Sequence, residues 1–412
     1  MSSQLNIFSE IDPLKLALVK RPGAEIDSLT PDYLEQLLFD DIPFLPGAQE
    51  EHDFYVKLLR DNGVEVLYLD DLMAEALAAA PEARERFVNE MLEESGTTVG
   101  GYEHLVREYL LSLDDRALVE AIMTGIRKNE IESHETKGLQ DLMDRRYPYY
   151  LDPLVNLYFT RDPATVIGGG VSINRMFSEA RQREPLFFKF LLTHHPRFAT
   201  ADIPIWRDRN EPYYNEGGDV AILSDEVIAI GVSQRTTASA IESLAKSLFY
   251  RQDSFRRILA FEIPESRAFM HLDTVFTMVD VNQFAIHHAI LDHAGEMNLY
   301  LVEKDEKAQR GLRFTATNDL RGTLKRELRE ESIDFIPTGG GDVAAAAREQ
   351  WSDAANLLAL SPGVVVSLDR NVETNEELRR HGIRVLEMPG SEISRGRGGP
   401  RCMLMPLCRC RS

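Results

Sequence analysis

The chain has 412 residues, 43% of them apolar, and a formal charge of −21. That length exceeds one small core, and the apolar share is ample for a packed interior, which excludes wholesale disorder. The acidity disfavours nucleic acid and anionic membrane as partners and is compatible with a cationic small substrate. The three cysteines, Cys402, Cys408 and Cys410, are clustered near the C-terminus and cannot staple a fold of this size. Residues 1–20 carry no basic-then-apolar leader pattern, and no apolar run reaches the roughly 18 residues a membrane span needs. A soluble protein of a reducing cytoplasm is expected.

In chain order, a unit of strands plus one helix begins near residue 14. It ends on Leu58-Leu59-Arg60-Asp61-Asn62-Gly63, a helix stopped by a glycine free to turn left-handed, followed by the short strand Val64-Glu65-Val66-Leu67. Residues 71–146 then show almost no strand signal and are rich in Ala, Glu, Leu and Arg. Amphipathic helices are predicted over 73–80, 83–93, 102–113 and 116–127, a helical insertion whose loop-closure cost is small if its ends are close. Further units begin near residues 152, 216, 271 and 340. Glu216-Gly217-Gly218-Asp219-Val220 is echoed by Gly340-Gly341-Asp342-Val343, and strands over 227–232 and 364–368 are expected after the two copies. Ile241, Leu244 and Leu248 mark one face of the helix that follows the first copy. Glu377-Leu378-Arg379-Arg380-His381-Gly382-Ile383-Arg384-Val385-Leu386 repeats the Leu58 pattern, and residues 328–336 are a weaker copy. Five such α/β units suggest a closed, propeller-like ring; an open α/β sheet with chance Gly-Gly-Asp matches is the alternative.

Single residues carry the candidate chemistry. Cys402 sits in Ser394-Arg395-Gly396-Arg397-Gly398-Gly399-Pro400-Arg401-Cys402, where glycines permit close backbone approach to a ligand and arginines would favour thiolate; a solvated basic tail with an incidental cysteine is the competing reading. Asp162 precedes Pro163 after an apolar, strand-like run, and equally suits a turn. Glu216 opens the Gly-Gly-Asp element, where a plain loop carboxylate is the alternative. His271-Leu272-Asp273 would place two polar side chains on one face of a strand, which suits a general acid/base with a carboxylate beside it; a strand-edge histidine is the alternative. His287, His288 and His293 lack a standard ligand spacing, as does a Cys402–Cys408–Cys410 metal site, and structural or surface roles are expected for these histidines. Asp162, Glu216, His271 with Asp273, and Cys402 each fall near the start of a different unit. A ring would bring them to one end of its axis, and paired carboxylates beside a nucleophile suit a planar guanidinium cation.

At these residues the sequence resembles the arginine deiminases of the guanidino-group-modifying (pentein) superfamily, over essentially the whole chain. The carrying motifs are Leu157-Tyr158-Phe159-Thr160-Arg161-Asp162-Pro163, Asn215-Glu216-Gly217-Gly218-Asp219-Val220, His271-Leu272-Asp273-Thr274-Val275-Phe276 and Arg397-Gly398-Gly399-Pro400-Arg401-Cys402-Met403, with Phe39-Asp40-Asp41-Ile42 near the start. The resemblance implies a five-bladed α/β propeller with a helical bundle insertion: residues 1–70 and 147–412 as the catalytic propeller, 71–146 as the insertion. It implies hydrolysis of L-arginine to L-citrulline and ammonia, in arginine catabolism, with no metal or organic cofactor, by a homo-oligomer (dimer or tetramer). On it, Cys402 attacks the guanidinium carbon, Asp162 and Asp273 hold the guanidinium nitrogens, and His271 protonates ammonia and then activates water. Glu216 binds a guanidinium nitrogen and tunes His271. Arg181 and Arg235, with Asn156, clamp the substrate carboxylate, Phe159 walls the pocket, the Gly396 carbonyl meets the α-amino group, and Arg397 rides a mobile loop. The tail Cys408-Arg409-Cys410-Arg411-Ser412 departs from that family's charged, cysteine-free end.

Rival activities share the same resemblance. An agmatine deiminase has no substrate carboxylate for Arg181 and Arg235, dimethylarginine hydrolases are shorter and lack the insertion, and an amidinotransferase passes the amidino group to an amine. A non-catalytic binding member of the fold would have no reason to keep this set of Cys, His, Glu and Asp. A metal-dependent amidohydrolase using the histidines would lose activity to a chelator.

Overall fold

The computed structural model describes residues 5–95, 100–131, 147–251, 254–264, 268–291 and 297–410. Five mixed sheets share one plan: an antiparallel strand pair, a helical crossover, and a third strand parallel to the second. In the first, Leu14–Val19 lies between Glu65–Tyr68, parallel, and the C-terminal strand Met405–Arg409, antiparallel, with helix Leu45–Asp61 in the crossover. The others are built on Ala164–Ile167, Val220–Ile222, Phe276–Asp280 and Leu358–Ser361 as first strands. The third sheet is widened to five strands by Leu299–Lys304 and Leu312–Thr317. The described strands thus form separate sheets, not one open sheet.

Local sequence explains the elements. Val227–Val232 is a near-continuous apolar run because it is flanked by strands on both sides and buried on both faces. Helix Ala238–Arg251 buries Ile241, Leu244, Ala245 and Leu248, spaced three and four apart on one face. Gly63 (φ 80°) and Gly382 (φ 85°) follow helices in the left-handed region, as the repeated sequence requires. In the weaker copy Ser332 stands at the glycine position, and the left-handed residue is instead Arg329, directly after helix Leu320–Leu328, at φ 60°, which costs a non-glycine residue about 1 kcal/mol.

Four sequence expectations change. The apolar stretch before Asp162 is a set of turns, not a strand, and His271-Leu272-Asp273 is extended at His271 (φ −140°) and then enters a 3-10 turn, Leu272–Thr274. The Gly340-Gly341-Asp342 echo is not equivalent to Gly217-Gly218-Asp219. The latter is a buried 3-10 turn leading into a strand, whereas Asp342 is exposed and caps helix Val343–Gln350, its Oδ1 accepting from Ala345 N. The fifth unit's first strand starts only at Leu358, and its preceding loop carries Asp353 and Asn356.

The predicted insertion contains helices Leu69–Ala79, Arg84–Glu93, Glu103–Ser112 and Asp115–Thr124. The last stops sooner than expected, at Gly125 (φ 79°), and Ile126–Arg127 pairs with Tyr149–Leu151 as strands. Residues 96–99 and 132–146, within the expected insertion, lie outside the described residues, as does His293. Leu77, Phe87, Met91 and Ile122 belong to one apolar cluster with Phe187, Val166 and Ile173, so the helices share a core with the second sheet. Among the described residues, no helix is long and apolar enough to cross a membrane.

Candidate active site

Each sheet's first strand is preceded by a short loop or turn, and these loops bring the chemistry together. Asp162 precedes Ala164–Ile167, Glu216 precedes Val220–Ile222, His271 and Asp273 precede Phe276–Asp280, Asn356 precedes Leu358–Ser361, and Cys402 precedes Met405–Arg409. A cavity of about 30 Å³, room for a water or two, is lined by Asn156, Phe159, Asp162, Arg181, Arg235, His271, Gly396, Arg397 and Cys402, with Leu38, Asp40, Met270 and Thr274. Glu216 and Asp273 stand just behind its wall, in contact with His271 and Cys402.

The Cys402 thiol is buried. Its Sγ accepts from Asn356 Nδ2 at 3.0 Å and lies 3.8 Å from Asp273 Oδ2. Asn356 Oδ1 accepts from the backbone N–H of both Arg401 and Cys402 at 3.1 Å, which pins the turn that presents the sulfur. Burial, then Asp273, Asp162 and Asp353, push this thiol well above the usual cysteine range. Arg401 acts in the direction the sequence suggests, favouring thiolate, but burial and these carboxylates outweigh it. Arg401 donates to Asp273 Oδ2 at 2.7 Å and to Glu10 Oε1 at 3.0 Å. Nor is the segment a solvated tail, since Arg397, Arg401 and Arg409 are all buried. Gly398 makes room for Phe159, whose ring would lie 2.1 Å from an added Cβ.

His271 lies between carboxylates. Its Nε2 donates to Glu216 Oε2 at 2.8 Å and its Nδ1 faces Asp162 Oδ1 at 3.9 Å. Burial opposes charge on the ring, but Asp162, Glu216 and Asp219 outweigh it and raise the imidazolium to about 9. Glu216 is held below the usual carboxylate range because Arg235 and His271 overcome its burial. Gly218 must lack a side chain here: a Cβ would fall 2.6 Å from His271 Nδ1. Its N–H donates to Asp162 Oδ1 at 3.0 Å.

The cations are placed as follows. Arg181 donates to Asp162 Oδ2 at 2.7 Å and to Glu184, so its fork faces carboxylates already in place. Arg235 donates to Glu216 Oε2 at 3.2 Å, and its Nη2 meets Met270 Sδ at 3.7 Å. Asn156 Nδ2 donates to the Leu37 carbonyl at 2.8 Å. Arg397, at φ 60°, follows the 3-10 turn Ile393–Gly396 and lays its guanidinium over the Trp351 ring at 4.1 Å, 3.9 Å from Asp40.

Asp162, Glu216 and His271 offer ligand atoms within 4.8 Å of one another, a spacing a metal could use. Arg181 and Arg235 bond two of these carboxylates and His271 is held cationic, so the trio is already neutralised by fixed positive charge.

Sequence reasoning missed Asn356, Asp353 and Glu10. Asp353 is buried at φ 49°, and its carboxyl is pushed up to about 7 by burial, Arg397 opposing. Glu10 accepts from Arg161 Nη2 at 3.1 Å, Arg401 Nε at 3.0 Å and Ile222 N at 3.3 Å. Burial alone would raise its carboxyl, but Arg401, Arg161 and Arg409 lower it to about 2. Glu10→Gln is expected to destabilise the protein by about 3–5 kcal/mol at neutral pH, because it leaves buried guanidinium groups without their anion. The folded-state carboxyl sits below its ordinary 4.5, so the wild-type advantage is complete above that pH and is lost as pH falls towards about 2. Denaturant midpoints of both proteins across that range check this, and coincident midpoints at pH 7 would refute it.

The profile of the family described as Arginine deiminase matches residues 35–409. The chain is 53% identical over 409 residues to the arginine deiminase of Listeria monocytogenes serovar 1/2a, covering 99% of this chain and 98% of that protein. It is also 53% identical over 409 residues to the arginine deiminase of Bacillus cereus strain B4264, covering 99% of each. Among solved structures it is similar to SxtG, an amidinotransferase from Microseira wollei in the saxitoxin biosynthetic pathway, with a TM-score of 0.57 at 13% identity over 99% of this chain and 98% of that one. That likeness shows the fold alone, an α/β fold. On the profile match and the full-length identity together, the chain belongs to the arginine deiminase family.

Proposed function

We propose that the chain hydrolyses L-arginine to L-citrulline and ammonia through a covalent thiouronium on Cys402. The observation that carries this reading is the convergence of a buried thiol, an imidazolium and two carboxylates on one cavity from separate loops. Asp273 Oδ1 is buried with no hydrogen-bond partner among the described residues, an acceptor suited to a guanidinium N–H. With the substrate cation between Asp162 and Asp273, the charge that keeps the thiol protonated is neutralised. The thiolate then forms against its substrate and releases its proton to solvent. Cys402 adds to the guanidinium carbon, His271 protonates the departing ammonia, and the neutral ring draws a proton from the water that cleaves the adduct. Glu216 keeps His271 oriented and charged between turnovers.

Arg235 makes a single bond to a carboxylate, which makes it the readier clamp for the substrate carboxylate, with Arg181 and Asn156 beside it. Phe159 walls the guanidinium and the Gly396 carbonyl receives the α-amino group. A cavity of about 30 Å³ cannot hold arginine, so the Arg397 loop withdraws from Trp351 and Asp40 to admit it.

The five sheets form a closed five-bladed propeller. The pairing of Met405–Arg409 with Leu14–Val19, which joins the two ends of the chain, supports that closure. Residues 71–146 are the insertion, and residues 1–70 with 147–412 are the catalytic body. The family resemblance supports a cytoplasmic homo-oligomer, dimer or tetramer.

The deciding assay is citrulline release from L-arginine and carbamoylputrescine release from agmatine. Arginine is expected to be hydrolysed, with kcat/KM for agmatine lower by roughly 10²–10⁴-fold. That is the loss of two charge-assisted contacts of about 1.5–3 kcal/mol each. No citrulline, or equal use of agmatine, would overturn the assignment.

A further inference from the structure

The C-terminal strand and the residue after it carry two further cysteine sulfurs that the reaction does not use. Cys408 and Cys410 flank Arg409, and their Sγ atoms are 3.3 Å apart, both half-buried and both reduced. The backbone on which they stand is held firmly. Arg409 N donates to the Asn6 carbonyl at 2.8 Å, Asn6 Nδ2 to the Arg409 carbonyl at 2.6 Å, and Cys410 N to the Pro13 carbonyl at 3.1 Å. The Arg409 side chain is anchored on the Asp12 and Ala359 carbonyls and interacts with Glu10, Arg161 and Arg401. The two cysteines, alternating with it along the strand, face the other side, where Cys408 packs at the edge of the large apolar cluster.

Two thiols at contact distance on a fixed backbone need little movement to bond, and the second step of any exchange between them is intramolecular. We propose that Cys408 and Cys410 are a redox modification site, a dithiol that a small-molecule disulfide converts to an intramolecular disulfide. Cys408 lies within the strand Met405–Arg409 and packs at the edge of the apolar cluster, whereas Cys410 lies just beyond the strand's end, so Cys410 meets the reagent first. Cys410 Sγ, as thiolate, bonds one sulfur of the reagent RSSR and expels RS⁻. Cys408 Sγ then gives its proton to solvent, bonds Cys410 Sγ and expels the second RS⁻. Two cysteine thiols are oxidised and RSSR is reduced to two RSH, which take up the two protons. Cys402 takes no part, because its sulfur is buried against Asn356 and Asp273.

The test is equilibration of the full chain with excess oxidised glutathione, followed by trypsin digestion and mass spectrometry. In wild type, the peptide of residues 402–409 should be found joined to the peptide of residues 410–411, with fragmentation placing the bond at Cys408 and little glutathione retained. Cys408→Ser should keep one glutathione on Cys410, and Cys410→Ser one on Cys408. The double variant should take up none while forming citrulline at the wild-type rate. Persistent glutathione on wild type, no reaction, or a bond through Cys402 would each overturn the proposal. Citrulline release from arginine is read separately, so failure of the catalytic reading is distinguishable.

Discussion

Cys402→Ala is expected to lower citrulline formation by about 10⁴-fold or more while the protein stays folded. The argument starts from geometry. The sulfur lies on the cavity wall, held by Asn356 Nδ2, on a turn pinned by Asn356 Oδ1. Alanine leaves that turn intact and removes one acceptor from a buried amide, a cost of about 1–3 kcal/mol that a domain of this size withstands. What is lost is the sulfur that bonds the guanidinium carbon, so neither half of the reaction proceeds. Initial rates and melting curves of both proteins separate the two effects. Acid quenching of wild type during turnover should also yield an amidino adduct on the Cys402 peptide. A variant that still turns over near the wild-type rate, or a wild type with no adduct, would mean that water attacks directly.

The parts of this site legible in the sequence were those fixed by local chemistry. A Gly-Gly step beside a carboxylate, a His two residues from an Asp, and a Cys after a glycine-rich run each point to a function at short range, and the repeat placed them in separate units. Long-range pairing was not legible. Adjacency to Cys402 makes Arg401 a support for the thiolate, but its bonded partners are Glu10, 391 positions away, and Asp273, 128 away. Asn356 and Asp353 are not marked by the repeat, because its Gly340-Gly341-Asp342 copy lies at a different turn, ahead of helix Val343–Gln350. A helix intervenes there, and the loop before Leu358 contains no glycine to mark Asp353's left-handed backbone. The signal available was positional: the other four first strands are each preceded by a catalytic-type residue, which directs the eye to Asn356. The strand assigned to His271-Leu272-Asp273 failed because alternation over three residues cannot separate a strand from a 3-10 turn; Asp219 accepting from Leu272 N sets that turn.

The second large effect concerns His271, where electrostatics fixes the direction of the pH dependence. The first half-reaction needs a proton for leaving ammonia, so the imidazolium is the active form. Asp162, Glu216 and Asp219 raise it to about 9 against the penalty of burial. A group required protonated gives full rate below that value, and kcat/KM for arginine should fall about tenfold per pH unit above it. His271→Asn is expected to lower kcat by about 10²–10⁴-fold and to abolish this descending limb. Glu216→Gln removes the 2.8 Å partner of Nε2 and one of the three carboxylates that raise it, so it should move the limb to lower pH while retaining its shape. A structural histidine would reduce rate at every pH alike. Retention of the limb in His271→Asn would place the titration elsewhere. Its loss there, together with a shift in Glu216→Gln, ties the proton to this ring and part of its field to Glu216.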